Sequence, residues 1–445
     1  MKKIAILFLF FLYLNVFADE NHYINILIGD RAAGMGGAYT AIADGPEGVF
    51  YNPAGLAFSS SKYFSLSVNT IQYKMLYYHN VYKKSDGTPF DYIRHSFSFL
   101  PNFFGFIQKT KKFTFAITVS CPDSEFYDQR DNATINIDGL DYHLNVNFNY
   151  TDMIYELGPS FAFLPHKKVA IGFSVFIRYR DIKNIIQTSY NLDTYINNVH
   201  WSYLQTTSIY NNSRIIGFTP QFGLQFMPIS KLSIGYNISM PFDIVNIYST
   251  QSTDALEQKY FDDVTTDKWI STSASYNNIK NNQINVLNIF QHGLFTPLYI
   301  KQSLGFGIFI SKSILLSIDG FLYIPIQDYN IYINKNRRNE LLNVTGNVAI
   351  GFEWYITPNF PFRVGLFTNF TNTQEIKNGD TDMKDWIHLF GGSFSLGFST
   401  SDLSINFGAV VSGGGGKAQI IGGVTDIQDL TMITANIFIS GGYQF

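Results

Sequence analysis

From Phe113 to Ser120 the chain alternates without a break: Phe113, Phe115, Ile117 and Val119 share one face, and Thr114, Ala116, Thr118 and Ser120 the other. A period of two with unlike faces predicts a β-strand between two different surroundings. The same pattern runs from Val169 to Ile177, where Val169, Ile171, Phe173, Val175 and Ile177 oppose Ala170, Gly172, Ser174 and Phe176. It returns over Ile433–Phe445. Six connections between such runs are tight, at residues 109–112, 165–167, 228–230, 311–313, 357–360 and 400–402. Six hairpins make twelve strands. A long first strand over Tyr63–Tyr82, bent near Thr70, and the final one bring the total to fourteen. The polar segments 122–148, 182–213, 242–297, 327–342, 373–385 and 413–430 are then expected as long loops at the opposite rim.

Composition says what surrounds these strands. Only 15% of the 445 residues are charged, against 17% aromatic and 46% hydrophobic, and the mean hydropathy is +0.02. Soluble domains carry about 25% charged residues, so this surface is short of charge. No apolar stretch after the first 18 residues is long enough for a spanning helix, which needs about 20 residues. A transmembrane β-barrel meets both observations, because outward apolar and inward polar side chains alternate and average out. The reading is therefore all-β: a 14-stranded antiparallel transmembrane β-barrel whose closure leaves no unpaired edge in lipid. With 31 Lys and Arg against 34 Asp and Glu, no basic surface exists for a nucleic acid.

Residues 1–18 read as a secretory signal: Lys2 and Lys3, an apolar core from Ile4 to Leu14, then Val16-Phe17-Ala18. Export with short turns on the periplasmic side places the barrel in the bacterial outer membrane, in contact with its lipid and with both termini periplasmic. The lone Cys121 excludes an internal disulfide and a cysteine-based zinc cluster. The eight histidines form no metal-binding pattern, and Gly413–Gly416 is followed by Lys417-Ala418, not by the Lys-Ser/Thr of a phosphate loop. No cofactor, metal or enzymatic activity is expected.

Residues 29–57 break the strand pattern and concentrate glycine and alanine, which suits a segment packed tightly inside a lumen. Three blocks stand out: Arg31-Ala32-Ala33-Gly34-Met35-Gly36-Gly37-Ala38, then Ala41-Ile42-Ala43-Asp44, then Tyr51-Asn52-Pro53-Ala54-Gly55-Leu56-Ala57. In this order and spacing they resemble the N-terminal hatch of the OMPP1/FadL/TodX group of outer-membrane long-chain fatty acid transporters. The resemblance implies a fourteen-stranded barrel with a hatch over residues 19–61 plugging a wall of residues 62–445. It implies passive carriage of hydrophobic small molecules, fatty acids foremost, with Asn52, Pro53, Ala54 and Gly34, Gly36 and Gly37 in the moving hatch. It also implies a third strand kinked to open the wall sideways. Here Pro122 either makes that kink, since proline cannot donate to the ladder, or simply ends the strand. The terminal Tyr443 and Phe445 resemble the signal read by the barrel assembly machinery, or else belong to an interfacial aromatic belt.

Lumen cations are the remaining candidates, because a fatty-acid carboxylate in a barrel needs a basic partner. Alternation points Arg178, Arg180, Lys301 and Arg363 inward. A register centred on Pro358 sets Glu353 opposite Arg363, which reads as a structural pair. Arg178 and Lys301 are the candidate carboxylate contacts. The rival to transport is a barrel that scaffolds a secretion complex or presents its loops as a surface antigen or adhesin. The interior of segments 182–213 and 242–297 discriminates: an apolar groove leading into the lumen would favour transport, and a flat polar loop cap the rival.

Overall fold

The computed structural model describes residues 22–59, 62–83, 88–137, 140–196, 199–261, 269–286, 298–326, 341–420 and 425–444. The signal segment, Phe445 and parts of the long polar segments lie outside these residues. One antiparallel sheet holds β1 (Lys62–Lys83), β2 (Pro89–Lys109), β3 (Phe113–Ile137), β4 (Leu140–His166), β5 (Val169–Ile196) and β6 (Val199–Ile229). It continues through β7 (Leu232–Ser239), β8 (Phe242–Phe261), β9 (Trp269–Val286), β10 (Tyr299–Phe309), β11 (Ile314–Pro325) and β12 (Thr345–Thr357). Last come β13 (Phe360–Asn369), β14 (Trp386–Ile387), β15 (Leu389–Ser399), β16 (Leu403–Ala418) and β17 (Gln428–Gln444). Fourteen of these form the wall, which closes where β1 pairs with β17 and where β7 pairs with β10. The β8–β9 hairpin instead leans on β6, pairing with Trp201–Phe218, and β14 is a two-residue addition. All six tight connections join neighbouring wall strands at the expected residues. The first strand is single and shifts register between Asn69 and Ile71.

The long polar segments differ from expectation. Residues 122–137 and 140–148 are strand, as are 182–196 and 199–213. A tilted strand needs about 9–11 residues to cross a membrane, whereas β6 has 31. The surplus continues the hydrogen-bonded ladder beyond the apolar band, where the outward residues become Asp128, Arg130, Asn145 and Asn147. On β5 and β6 the inward positions mix Ile186 and Tyr190 with Thr188, Gln205 and Thr207, so alternation weakens and the pattern reads as loop. On β4, by contrast, Leu144, Val146 and Phe148 alternate fully with Asn145 and Asn147 inside a segment also read as loop. In the band itself, Phe115, Ile117, Phe173, Val175, Leu366 and Phe407 point outward and are exposed, as lipid-facing positions must be.

The opposite face of the wall encloses residues 22–59, almost all of which are buried. This segment contains α1 (Asp30–Gly34), α2 (Gly48–Tyr51) and a 3₁₀ turn over Pro53–Phe58. Its fit depends on three cross-strand glycine pairs that face inward: Gly172 with Gly223, Gly235 with Gly305, and Gly351 with Gly365. A Cβ on any of them would meet the inner segment: Pro53 and Ala54 at the first pair, Thr40 and Ala41 at the second, Met35 and Gly36 at the third. The wall thus lacks side chains where the inner backbone needs room.

Candidate functional site

Polar contacts fix the inner segment where the glycine pairs admit it. Asn52 is fully buried and its side chain works in three directions. Nδ2 donates to Thr40 O at 2.8 Å and to Leu224 O on β6 at 3.0 Å, and Oδ1 accepts from Ala54 N at 3.1 Å. The last bond caps the 3₁₀ turn, which Pro53 starts with a fixed φ. Gln225 and Ser233 donate to Ala41 O at 2.8 and 2.6 Å, and Asp319 accepts from Thr40 N at 2.7 Å. Ser393 donates to Gly34 O at 3.0 Å. Gly36 and Gly37 carry φ of 65° and 85°, a region that favours glycine, and let the chain turn against Gly365.

Glu353 and Arg363 stand opposite each other in the β12–β13 ladder, and Arg363 Nε donates to Glu353 Oε2 at 2.7 Å. Arg31 of α1 grips the same carboxylate with both prongs, Nε at 2.8 Å and Nη2 at 2.7 Å, and reaches Asp44 with Nη1 at 2.7 Å. Arg363 also donates to Asn406, which in turn bonds Asp30. The pair is therefore a junction between inner segment and wall. Glu47 lies close by, with no ion pair to a described cation, and accepts from Tyr39 OH at 3.0 Å. Burial, with Asp30 adding to it, raises the Glu47 carboxyl above the ordinary carboxylate range.

Beside this floor lies a cavity of about 490 Å³. It reaches Gly36 and Gly37 on the inner segment and Arg178, Lys301, Phe321 and Tyr323 on the wall. Arg178 is held by Asp243 at 2.5 Å, and Arg180 by Asp152 at 2.6 Å. Lys301 differs. Its ammonium faces the rings of Phe50, Phe321 and Tyr323 at 5.5, 5.7 and 5.8 Å and makes no ion pair with any described carboxylate. Glu156 accepts instead from Thr219 at 2.8 Å.

Pro122 sits at a break in the wall. The β2–β3 ladder pairs Phe103–Lys109 with Thr114–Ser120 and stops there, while β3 continues along β4 after a register shift between Ser120 and Asp123. Above the break, side chains span the seam: Ser96 Oγ bonds Phe126 O, Gln129 Nε2 bonds Ile93 O at 2.8 Å, and Tyr92 bonds Asp131 at 2.8 Å. Pro122 and Asp123 line the cavity. Tyr443 points outward on β17 and is 44% exposed, beside the tight β15–β16 connection.

Sequence reasoning missed the glycine pairs, whose signal was glycine recurring at inward positions of successive strands. It also missed Arg31 as a partner of Glu353 and the aromatic wall formed by Tyr23, Tyr299 and Tyr323.

No protein-family model matches the chain, and no curated protein does. Solved structures do. A FadL homologue from Pseudomonas aeruginosa is 14% identical, with 95% of this chain and 100% of that one covered at a TM-score of 0.53. The P. putida toluene transporter TodX is 12% identical, with 94% and 98% covered at 0.54. The Ralstonia pickettii toluene transporter TbuX is 14% identical, with 94% and 98% covered at 0.52. Two of these neighbours are named as toluene transporters. The chain has the FadL-type fold, and the group whose hatch residues 29–57 resemble is the group whose barrel it shares.

Proposed function

We propose that this outer-membrane barrel carries hydrophobic molecules passively through its wall, and that long-chain fatty acids are the ligands that engage Lys301. The observation that carries the reading is the cavity of about 490 Å³ with an aromatic lining and an ammonium that no described carboxylate pairs. That volume is in the usual range for small-molecule sites. The interior above it is mixed: Leu144, Val146, Phe148, Tyr150, Ile186 and Tyr190 are buried on inward positions of β4 and β5, beside Thr188 on β5 and Gln205 and Thr207 on β6. In this reading the floor around Asn52, Pro53 and Ala54 controls passage, the break at Pro122 offers a sideways exit, and Arg178 is structural because Asp243 occupies it. Tyr443 and Phe445 serve assembly.

The test is palmitate binding to the folded, detergent-purified barrel, with hexadecanol as the uncharged control. Lys301→Gln is expected to weaken palmitate about tenfold, the scale of one charge-assisted hydrogen bond, and to leave hexadecanol within twofold. Equal palmitate binding by both forms would remove Lys301 from the reading. Absence of binding to the native barrel would remove the fatty-acid reading itself.

A further inference from the structure

The rim at the tight turns carries charge of one sign. Going around it, the β2–β3 turn holds Lys109, Lys111 and Lys112, the β4–β5 turn His166, Lys167 and Lys168, the β6–β7 turn Lys231, and the β10–β11 turn Lys312. Because β7 pairs with β10, these four turns follow one another along the wall. None contains an aspartate or glutamate, although the whole chain has 34 acidic residues against 31 Lys and Arg. The two remaining turns, Thr357–Phe360 and Thr400–Asp402, hold no cation, so the basic rim covers one side of the barrel.

Two of these ammoniums serve the fold itself. Lys109 Nζ donates to Ala57 O at 3.0 Å and Ser59 O at 2.8 Å, and Lys168 Nζ to Pro228 O at 2.6 Å. Lys111, Lys112, Lys167, Lys231 and Lys312 are exposed and make no ion pair with any described carboxylate. A recess of about 460 Å³ opens at the first turn, lined by Lys109, Lys111 and Lys112 and by Phe113, Phe163 and Leu164. Phe113 and Phe163 stand opposite each other in the β3–β4 ladder with ring centroids 6.3 Å apart, and Phe161 lies 5.3 Å from both Phe113 and Phe115. These rings are on the lipid-facing side, 40% exposed at Phe113 and 47% at Phe115. Charge therefore begins one residue beyond the apolar band.

That boundary is the level of the lipid headgroups, where outward aromatic residues end and lysines keep their stems on apolar surface while the ammonium reaches the polar layer. A tight turn projects little further, so lipid already touching the rings meets the lysines before any partner from the water does. We propose that this rim is a binding surface for anionic phospholipid, seated most firmly in the recess, with the phosphate on Lys111 and Lys112 and the acyl chains along Phe113 and Phe163. A zwitterionic headgroup brings an ammonium of its own, which these lysines repel, so a net negative headgroup is selected. The inference depends on the wall crossing a bilayer and not on what the lumen carries.

The experiment titrates the detergent-purified, folded, full-length barrel with palmitoyl-oleoyl phosphatidylglycerol and, separately, with the matching phosphatidylcholine, and reads bound lipid by native mass spectrometry. Heat-modifiable gel mobility establishes that each form is folded. The native barrel is expected to prefer phosphatidylglycerol. One lysine near an anionic lipid surface is worth about fivefold in affinity, so Lys111→Gln with Lys112→Gln should weaken phosphatidylglycerol about 5- to 25-fold and leave phosphatidylcholine within twofold. Lys377→Gln with Lys417→Gln removes two charges toward the opposite rim and should bind as the native form does. Inorganic phosphate should not displace the lipid, because it has no chains to lie on the rings. Equal retention of the two lipids by the native barrel, equal losses in the two double variants, or displacement by inorganic phosphate would each overturn the proposal and leave the transport reading untouched.

Discussion

Arg363 and Lys301 both project into the same barrel, yet their surroundings are opposite. Arg363 shares Glu353 with Arg31 of the inner segment and holds Asn406, so its donors meet two wall oxygens, one of which the inner segment also grips. Lys301 meets three aromatic faces and no described carboxylate. The floor around Arg363 is built from contacts that nothing else can supply: a bidentate guanidinium, a capped turn and glycine pairs that take the shape of one backbone. The cavity around Lys301 is built from ring faces and one charge, which many molecules can satisfy. A plugged barrel needs both, one part that retains its own chain and one that exchanges its occupant.

The comparison breaks most sharply at Glu353. Glu353→Ala leaves the buried Arg363 guanidinium without its anion, while the partly exposed Arg31 keeps Asp44, and removing one partner of a buried ion pair costs about 3–5 kcal/mol. The expected result is a lower unfolding temperature in detergent and higher ion conductance in planar bilayers than the native barrel shows under the same conditions. A variant with native melting and conductance would show that the floor is not held there.

Next in size are the glycine pairs. Gly365→Leu places a side chain where Gly36 and Met35 now lie, and overpacking of this kind costs about 1–3 kcal/mol. Conductance should rise while the barrel still folds, because the wall ladder itself is untouched. Gly320→Val is the control, since nothing lies within 4 Å of a Cβ there and it points outward. Equal conductance in the two variants would sink the account of the glycine pairs.

How far the sequence carries follows from which forces leave a linear trace. The wall was legible because lipid and lumen impose a period of two, and the tight turns because proline, lysine and serine interrupt it. The pair of Glu353 with Arg363 was legible because a register centred on Pro358 gives the ladder from Tyr355 onward, although the turn itself pairs Thr357 with Phe360 and a register shift between Tyr355 and Thr357 supplies the difference. Arg31 was not, because 322 residues separate it from Glu353 and only closure of the barrel brings them together. The extensions of β5 and β6 were read as loops because Thr188, Gln205 and Thr207 interrupt the apolar inward positions and leave the hydrophobic alternation incomplete. The aromatic wall around Tyr23 left no trace at all, since its three tyrosines come from an irregular segment and two strands.

The smallest effect tests whether the floor has any give, and Glu47 is the place to look. Its carboxyl is buried, receives the Tyr39 hydroxyl at 3.0 Å, and is faced by Asp30 and Arg31 from α1 and by Asp44 through Tyr39. Burial and Asp30 raise its pKa, so the folded floor favours the protonated acid. The sign follows from linkage: the contribution is fully present below the ordinary carboxylate value of about 4.3 and is lost as pH rises through the raised one. Each unit of that rise is worth about tenfold in the ratio of seated to loosened floor. Conductance in bilayers should therefore grow between pH 5 and pH 8 in the native barrel, while Glu47→Gln, which keeps a hydrogen-bonding group without the charge, should show a flat profile at the low value. A native profile that is already flat would mean that Arg31, held by Glu353 and Asp44, sets the seat alone, and the contrast between a fixed floor and an exchangeable cavity would be sharper than drawn above.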